Sequence, residues 1–333
     1  MINSSRVGLL VSPLFFLLFH TLLWADEESA EDMYEDAIQE HVQVTATRTS
    51  RRDIDIAAAV TAIDEEAVLE QAPDVIAEML RGKPGAFFQQ TTPGQGIPII
   101  RGLKGSQVLH MVDGMRLNNA FFRNAPNQYL GLVDSFATRR MEVVRGSQGS
   151  LYGADAMGGV LNILTAEPAY DTSEWQQESR LYGSYDSVDM GWVVSARTQG
   201  GKQGWGFAGG ISYQDHSDRE SGDGERLIPS AYKSKAADLK FVMDTSEHSS
   251  LMLSAQVMEQ PSTPRYDELV PGFGQETPSS EQFLFEPNRR SFVHARFRLD
   301  GKGAWYDQFE AHVARQVIDD DRLTQDFGCP EIV

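Results

Sequence analysis

The second half of the sequence, from residue 169 onward, alternates apolar and polar side chains in segments of about ten residues. Between residues 251 and 257, for example, Leu251, Leu253, Ala255 and Val257 fall on one face and Gln256 falls on the other. Successive side chains of a strand point to opposite faces, so this period predicts long β-strands with one apolar and one polar face. The polar faces carry Arg197, Lys240, Gln256, Arg296, Arg298 and Glu310.

Two architectures fit this alternation. A soluble sandwich buries the apolar faces in its core, whereas a transmembrane barrel turns them to lipid and lines its lumen with the polar faces. The segment length favours the barrel, because tilted strands of about ten residues cross the hydrocarbon layer. The connections also alternate, with a tight turn at 201–204 and long polar loops predicted at 215–230 and 260–289. Short turns at one end and long loops at the other are typical of outer-membrane barrels.

The N-terminus indicates export. Arg6 precedes an apolar stretch that ends at Ala25, which predicts a signal peptide over 1–25; a retained membrane anchor is the alternative. Residues 26–40 then carry eight carboxylates and no basic side chain. The formal net charge of −19 argues against nucleic-acid binding, which requires a basic face. The single cysteine, Cys329, cannot form a disulfide within the chain.

Residues 47–168 have a mixed pattern that predicts an α+β domain. Helices are expected over 64–71 and 72–82, and short strands are expected in GIPIIRG, SQVLHMVDGMRL, TRRMEVVRG and GGVLNILT. Asp113 and Gly114 predict a two-residue hairpin turn. The stretch from Arg145 to Thr165 contains five glycines but lacks the GK[ST] ending of a phosphate loop, so close backbone packing is the favoured interpretation.

The chain resembles the TonB-dependent outer-membrane receptors. The resemblance rests on VTATRT, LRGKPGAFF, IRG, VLHMVDGMRLN and MEVVRGSQGSLYGADAMGGVLNILT, followed by the alternating strands. It implies an α+β plug domain over 47–168, followed by antiparallel transmembrane β-barrel strands over 169–333, in a barrel that has 22 strands in the family. The residues after Pro168 suffice for seven or eight strands, so we expect an N-terminal part of such a receptor.

The resemblance also assigns roles near the N-terminus and within the plug. Residues 26–46 would form an acidic leader and a TonB box, the latter comprising His41, Val42, Gln43, Val44, Thr45 and Ala46. An extended segment of this kind can add a strand to a partner's sheet, here TonB with its inner-membrane energising complex. Arg101 and Arg145 match the plug arginines that form a latch with glutamates of the barrel. The short leader indicates a transporter rather than a signal transducer.

Ligand-binding residues are expected at the plug apex, in two loops that mix amides and aromatic rings. The candidates are Gln89, Gln90, Phe121, Phe122, Arg123, Asn124, Asn127 and Tyr129. The alternative is that these loops pack beneath the barrel loops without touching ligand. The seven histidines are scattered, so we expect no autonomous metal site and no cofactor, and His110 is interpreted as a core residue.

The predicted function is TonB-dependent uptake of a scarce metal-chelate ligand of the iron-siderophore, haem or cobalamin type. The predicted location is the outer membrane of a Gram-negative cell, in contact with its lipid, with plug and leader accessible from the periplasm. A surface receptor or adhesin without coupled transport is the alternative. A secreted hydrolase is a third class, and the sequence offers no catalytic constellation for it.

Overall fold

The computed structural model describes residues 58–117, 129–168, 170, 172–301 and 306–327. All of them fall within one compact unit that spans Gln43–Val333. We call the described part of residues 58–168 the plug, and the sheet of long strands that follows it the wall.

The plug is built on a five-stranded sheet with the order β1-β6-β7-β4-β5. Its strands are β1 (Ala59–Asp64), β4 (Val108–Val112), β5 (Met115–Arg116), β6 (Thr138–Arg145) and β7 (Gly159–Thr165), and a separate hairpin pairs β2 (Ala86–Gln89) with β3 (Ile97–Ile100). β4 and β7 run parallel, and the other pairs are antiparallel. The four stretches predicted as strands therefore contain strands.

The first predicted helix is confirmed and the second is wrong over most of its length. α1 (Glu65–Gln71) starts at Asp64, whose carboxylate accepts a hydrogen bond from the Ala67 amide at 2.9 Å. Between 72 and 82, only Ile76–Leu80 is helical, as one short 3₁₀ segment. Val75 is extended there, and four of the five helical residues are buried, so tertiary burial rather than an amphipathic helical period shapes this segment.

The remaining helices are short. They are the 3₁₀ segments Gly105–Gln107, Tyr129–Leu132 and Ser135–Ala137, and the single α-helical turns α2 (Gly149–Tyr152) and α3 (Tyr266–Leu269). Within the described residues, no helix is long and apolar enough to cross a membrane.

The hairpin turn predicted at Asp113 and Gly114 is confirmed. Val112 pairs with Met115, and the two intervening residues have φ angles of 48° and 77°. Both angles are positive, as a tight two-residue hairpin turn requires.

One glycine of the 145–165 stretch shows why the backbone must pack closely there. Gly159 begins β7, and a Cβ at this position would overlap with the carbonyl oxygen of Val144 on β6. The glycine therefore allows β6 and β7 to approach, and behind them lies a core that includes Met141, Leu161 and Ile163.

The wall contains eight antiparallel strands in the order β13-β14-β12-β11-β10-β9-β8, with β15 paired to β14. They are β8 (Gln176–Asp186), β9 (Gly191–Lys202), β10 (Trp205–His216), β11 (Tyr232–Ser246), β12 (Ser249–Gln260), β13 (Thr263–Pro264), β14 (Ser280–Asp300) and β15 (Gln308–Asp326). The seven long strands have 11 to 21 residues, so the expected length of about ten was too short.

The ends of the wall differ as predicted, but one loop is shorter. Two-residue turns at 203–204 and 247–248 lie at one end, and the loops 217–231 and 261–279 lie at the other. The loop predicted over 260–289 is wrong after residue 279, because β14 already starts at Ser280. There β14 pairs with β15 and β13, and these partners are not visible in the local sequence.

The two faces of the wall settle the choice between the sandwich and the barrel-type sheet. Apolar side chains face outward and are exposed, as at Ile211 with 63% and Leu239 with 57% exposure. Their polar neighbours face the plug and are buried, as at Ser212 with 6% and Lys240 with 3%. A sandwich would bury the apolar faces instead, so the wall has the polarity of an outer-membrane barrel sheet.

Candidate functional site

The polar face of the wall contacts the plug through hydrogen bonds and ion pairs, and we take this plug–wall contact as the candidate site. Most candidates from the sequence lie outside the described residues, and two of the others, Gln90 and Tyr129, take part in this contact. Outside the described residues lie the coupling segment His41, Val42, Gln43, Val44, Thr45 and Ala46, and the apical residues Phe121, Phe122, Arg123, Asn124 and Asn127.

The turn residue Asp113 is the centre of one contact. Its carboxylate accepts hydrogen bonds from the Thr165 amide at 2.8 Å, the Thr165 hydroxyl at 2.7 Å and the Gln256 amide at 3.3 Å. Lys240 Nζ lies 3.3 Å from Asp113 Oδ1. Burial alone would raise the pKa of Asp113, but Lys240 and the two Thr165 hydrogen bonds outweigh it and hold the pKa below its usual value. Asp113 is thus a charged anchor between plug and wall.

A second contact joins Asp134 of the plug to Arg197 of the wall. Arg197 binds both oxygens of Asp238, each at 2.8 Å, and its Nη1 lies 4.0 Å from Asp134 Oδ2. Burial raises the pKa of Asp134 to about 6, and Arg197 only partly offsets it. One guanidinium is therefore shared by two carboxylates.

A third contact lies at the end of the wall that carries the long loops. Asp74 of the plug forms an ion pair with Arg219, and His216 Nδ1 lies 3.0 Å from Asp189 Oδ2. The other ring nitrogen, His216 Nε2, lies 3.9 Å from Asp74 Oδ1. Burial raises the pKa of Asp74 above its usual value despite its basic neighbours. This cluster brings together residues far apart in sequence.

Three apical candidates are described, and two of them contact the wall. Arg219 donates a hydrogen bond to Gln90 Oε1 at 3.3 Å, and the Tyr129 hydroxyl donates one to Asp320 at 3.2 Å. Gln89 pairs with Ile97 in the β2–β3 hairpin. Gln90 and Tyr129 are thus engaged by the wall, as the alternative interpretation of packed loops expects, and their ligand role stays a prediction.

Arg101 and Arg145 lie together at the surface of the plug. A Cβ at Gly85 would lie 3.3 Å from Arg145 Cδ and 3.9 Å from Arg101 Cγ. Burial, followed by repulsion from Arg101, lowers the pKa of Arg145. Among the described residues, neither guanidinium is paired with a carboxylate, and Arg145 binds the hydroxyl of Thr61 at 2.6 Å. Arg101 also has a left-handed backbone with a φ of 51°, which is uncommon for a non-glycine residue.

Sequence reasoning missed the wall partners of the plug, such as Lys240, Arg197 and Arg219. The sequence did indicate that such partners exist, because a basic residue on the polar face of a predicted strand is rarely buried without an anionic partner. The sequence could not say which one, since Lys240 and Asp113 are separated by 127 residues.

A small α+β domain bound to the polar face of long antiparallel strands with apolar outer faces defines the class of plugged outer-membrane receptors. The sequence model of the TonB-dependent Receptor Plug Domain matches residues 52–160. The chain therefore contains a TonB-dependent receptor plug domain, and the receptors to which it is similar are outer-membrane proteins.

Its relatives include the vitamin B12 transporter BtuB of Photobacterium profundum, with 30% identity over 200 residues, covering 60% of this chain and 30% of the relative. BtuB of Vibrio vulnificus strain CMCP6 is 34% identical over 131 residues, covering 37% of this chain and 20% of the relative. The chain thus spans less than a third of the length of these relatives.

Solved structures with a similar fold include the Serratia marcescens hemophore receptor HasR, with a TM-score of 0.66, 16% identity, and coverage of 81% of this chain and 39% of that chain. The copper transporter OprC aligns with a TM-score of 0.61 and 16% identity over 77% of this chain and 37% of that chain. These likenesses show the fold alone.

Proposed function

We propose that the protein takes part in TonB-dependent active transport of a scarce ligand across the outer membrane, with the plug as its gate. The observation that carries the proposal is the plug–wall contact, in which buried hydrogen bonds and ion pairs such as Asp113–Lys240 stand beside apolar contacts such as Phe136 with Tyr182. Polar contacts can be exchanged for water as the plug moves, whereas an apolar interface would be costly to open. No covalent step is required of the protein.

Two groups of outward-facing aromatic rings support a membrane location for the wall. Trp175, Trp205 and Phe241 cluster near the short-turn end, with Trp175 and Trp205 centroids 5.2 Å apart and Trp205 and Phe241 centroids 5.9 Å apart. Trp192 and Tyr213 contact each other near the long-loop end at 5.1 Å.

The spacing of the two groups fits a bilayer. From Trp205 to Tyr213, strand β10 rises about 26 Å, or about 20 Å along the membrane normal after allowing for strand tilt. The apolar band of an outer-membrane barrel is about 25 Å tall and lies between two aromatic girdles. The long loops would then face outward, and the plug would be reached by TonB from the periplasm.

The ligand class is the least constrained part of the proposal. The candidates are iron-siderophores, haem and cobalamin, and we propose to test cobalamin first because the BtuB relatives are named vitamin B12 transporters. We propose that Gln89, Gln90, Tyr129 and the apical residues between 121 and 127 contact the ligand from the long-loop side. Growth of the host on cobalamin, siderophore or haem as the limiting nutrient, with and without the gene, would identify the ligand.

Arg101 and Arg145 fit the proposed latch. Two neighbouring guanidinium groups repel each other and require anions in any enclosed setting. We propose that acidic side chains of the barrel meet them and hold the plug until TonB pulls. Neither guanidinium has a carboxylate partner among the described residues, and Arg145 is held only by its hydrogen bond to Thr61, which supports such a pairing.

The test of coupled transport is deletion of residues 41–46 from the full-length protein. We expect energy-dependent uptake of the growth-supporting ligand to be lost, while ligand binding to isolated outer membranes stays within about two-fold, because the segment lies outside the proposed ligand site. Deletion of residues 29–34 is the matched control, since it removes the same length from the acidic leader. Uptake that survives loss of residues 41–46 would favour a surface receptor or adhesin without coupled transport.

A further inference from the structure

The strongest unassigned feature is the side-chain cluster at the long-loop end of the plug–wall contact. Asp74 is supplied by the plug, Asp189 by the turn between β8 and β9, and His216 by the end of β10. One ligand atom from each of these residues can be chosen so that all lie within 4.8 Å of one another. The His216 and Asp189 side chains are only 2% and 4% exposed.

The imidazole of His216 is held in one orientation. Its Nδ1 is hydrogen-bonded to Asp189 at 3.0 Å, and its ring stacks on Tyr232 with a centroid separation of 4.6 Å. Asp189 is fixed in turn, because its Oδ1 accepts a hydrogen bond from the Gly191 amide at 2.8 Å. A Cβ at Gly191 would overlap with both Asp189 and His216, so the packing here requires glycine.

The second ring nitrogen of His216 has no hydrogen-bond partner among the described residues, although it is buried. With Nδ1 donating to Asp189, Nε2 carries a lone pair, and it faces Asp74 Oδ1 at 3.9 Å. Two acceptor atoms at this distance cannot hydrogen-bond to each other, so a bound cation, a water molecule or a second ring proton would have to join them. A histidine whose Nδ1 is held by a carboxylate while Nε2 is free is the usual arrangement of a metal-ligating imidazole.

The local charge also calls for a cation. Asp74, Glu78 and Asp189 lie around the single guanidinium of Arg219, which binds the other oxygen of Asp74. Arg81 reaches Glu78 only from the solvent side, at 3.8 Å and with 59% exposure. Burial, followed by repulsion from Asp74, raises the pKa of Glu78 to about 7, as expected where carboxylates outnumber cations.

We propose that Asp74 Oδ1 and His216 Nε2 bind a divalent transition metal ion such as Zn²⁺, with Asp189 orienting the imidazole. Imidazole nitrogen and carboxylate oxygen are both ligands of Zn²⁺, and Ca²⁺ prefers oxygen alone. One ligand comes from the plug and the other from the wall, so the ion clamps the two together. This site stands apart from the latch and from coupled transport.

The test uses the full-length protein without a polyhistidine tag, purified in detergent, stripped with a chelator and titrated with ZnCl₂ at pH 7 by calorimetry. We expect one Zn²⁺ per chain. His216→Gln and Asp74→Asn should each weaken binding at least about 100-fold, and Asp189→Asn about 10- to 100-fold, as is typical when the carboxylate behind a ligating histidine is removed. An equal concentration of Ca²⁺ should leave Zn²⁺ binding within about two-fold.

His294→Gln is the matched control, because His294 is also a buried wall histidine but lies outside the cluster. X-ray absorption of the Zn²⁺-loaded protein should show an imidazole ligand that His216→Gln removes and His294→Gln keeps. Circular dichroism checks folding, and if His216→Gln does not fold, Asp74→Asn carries the test. Absence of Zn²⁺ binding, or binding that survives both substitutions, overturns the proposal. If the melting temperature depended on pH through His216 in the absence of Zn²⁺, the group between His216 and Asp74 would be a proton rather than a metal ion.

Discussion

The plug and the wall use the same residue types with opposite polarity. In the plug, Leu161 is 0% exposed and packs in a core between strands and short helices. In the wall, Leu253 is 47% exposed and its neighbour Ser254 is 4% exposed. The plug therefore buries its apolar side chains, as a water-soluble domain does, whereas the wall exposes its apolar side chains and buries its polar ones. Alternation therefore fixes the two faces of a strand, whereas the medium around the strand decides which face is apolar.

The largest expected effect comes from the buried ion pair between the two regions. Lys240→Met leaves the buried Asp113 carboxylate without its cation, which should lower the free energy of unfolding by about 3 to 5 kcal/mol. Tryptophan fluorescence in guanidinium chloride, with the protein in phospholipid, measures it. The control is Lys235→Met on the same strand, whose lysine is 55% exposed, and this change should cost less than about 1 kcal/mol. Equal effects at both positions would mean that the polar face of the wall is not sealed by the plug.

The opposite burial of apolar side chains in the two regions is tested by making the same substitution, Leu to Ala, in each region. Leu161→Ala leaves a cavity in the plug core and should cost about 3 to 4 kcal/mol. Leu253→Ala should cost about 1 kcal/mol, because its side chain is only half covered by protein and lipid fills the space. The same unfolding assay measures both. If Leu253→Ala proved as costly as Leu161→Ala, the outer face of the wall would be packed against protein rather than lipid.

The smallest expected effect is a pH dependence of stability that arises from Glu78 of the plug. The pKa of Glu78 is raised to about 7 from 4.5, so the native state holds its proton while the unfolded state releases it. The free energy of unfolding should therefore fall as the pH rises from about 4.5 to 7, by about 1 to 3 kcal/mol in total. Melting temperatures measured from pH 5 to 8 check this.

The matched variant for this effect is Glu78→Gln, which should flatten the pH profile over that range. Glu70→Gln is the control. Glu70 lies on α1 and its side chain forms no hydrogen bond or ion pair among the described residues, so this change should leave the pH profile unchanged. A profile that stays as steep in Glu78→Gln would assign the effect to another group, of which Asp134, with a pKa of about 6, is the next candidate.

Much of the fold followed from local sequence. The Asp113–Gly114 turn, α1 and the strands of the plug were predicted because capping, turn chemistry and period act over a few residues. The segment after Ala72 was not, since burial on several sides overrides helical propensity there. The early start of β14 was also missed, because strand length in a sheet depends on partners that are distant in sequence.

The candidate site was predicted only in part. Arg101 and Arg145 were found through their motifs, and the structure brings them together. The cluster of Asp74, Asp189 and His216 was not anticipated, and the scattered histidines even argued against a metal site. Spacing along the chain reveals such a cluster only when its residues lie on one local element, and these three residues come from three separate parts of the chain.

Local periods and turn residues are enough to predict that the second half of the chain forms two-faced strands and that the first half forms an α+β domain. The inward orientation of the polar face, and the pairing of each plug group with a wall group, become visible only in the folded structure. Both features depend on what covers each face of the sheet. A buried charge such as Lys240 is tolerated only because folding brings an anionic partner, Asp113, to it.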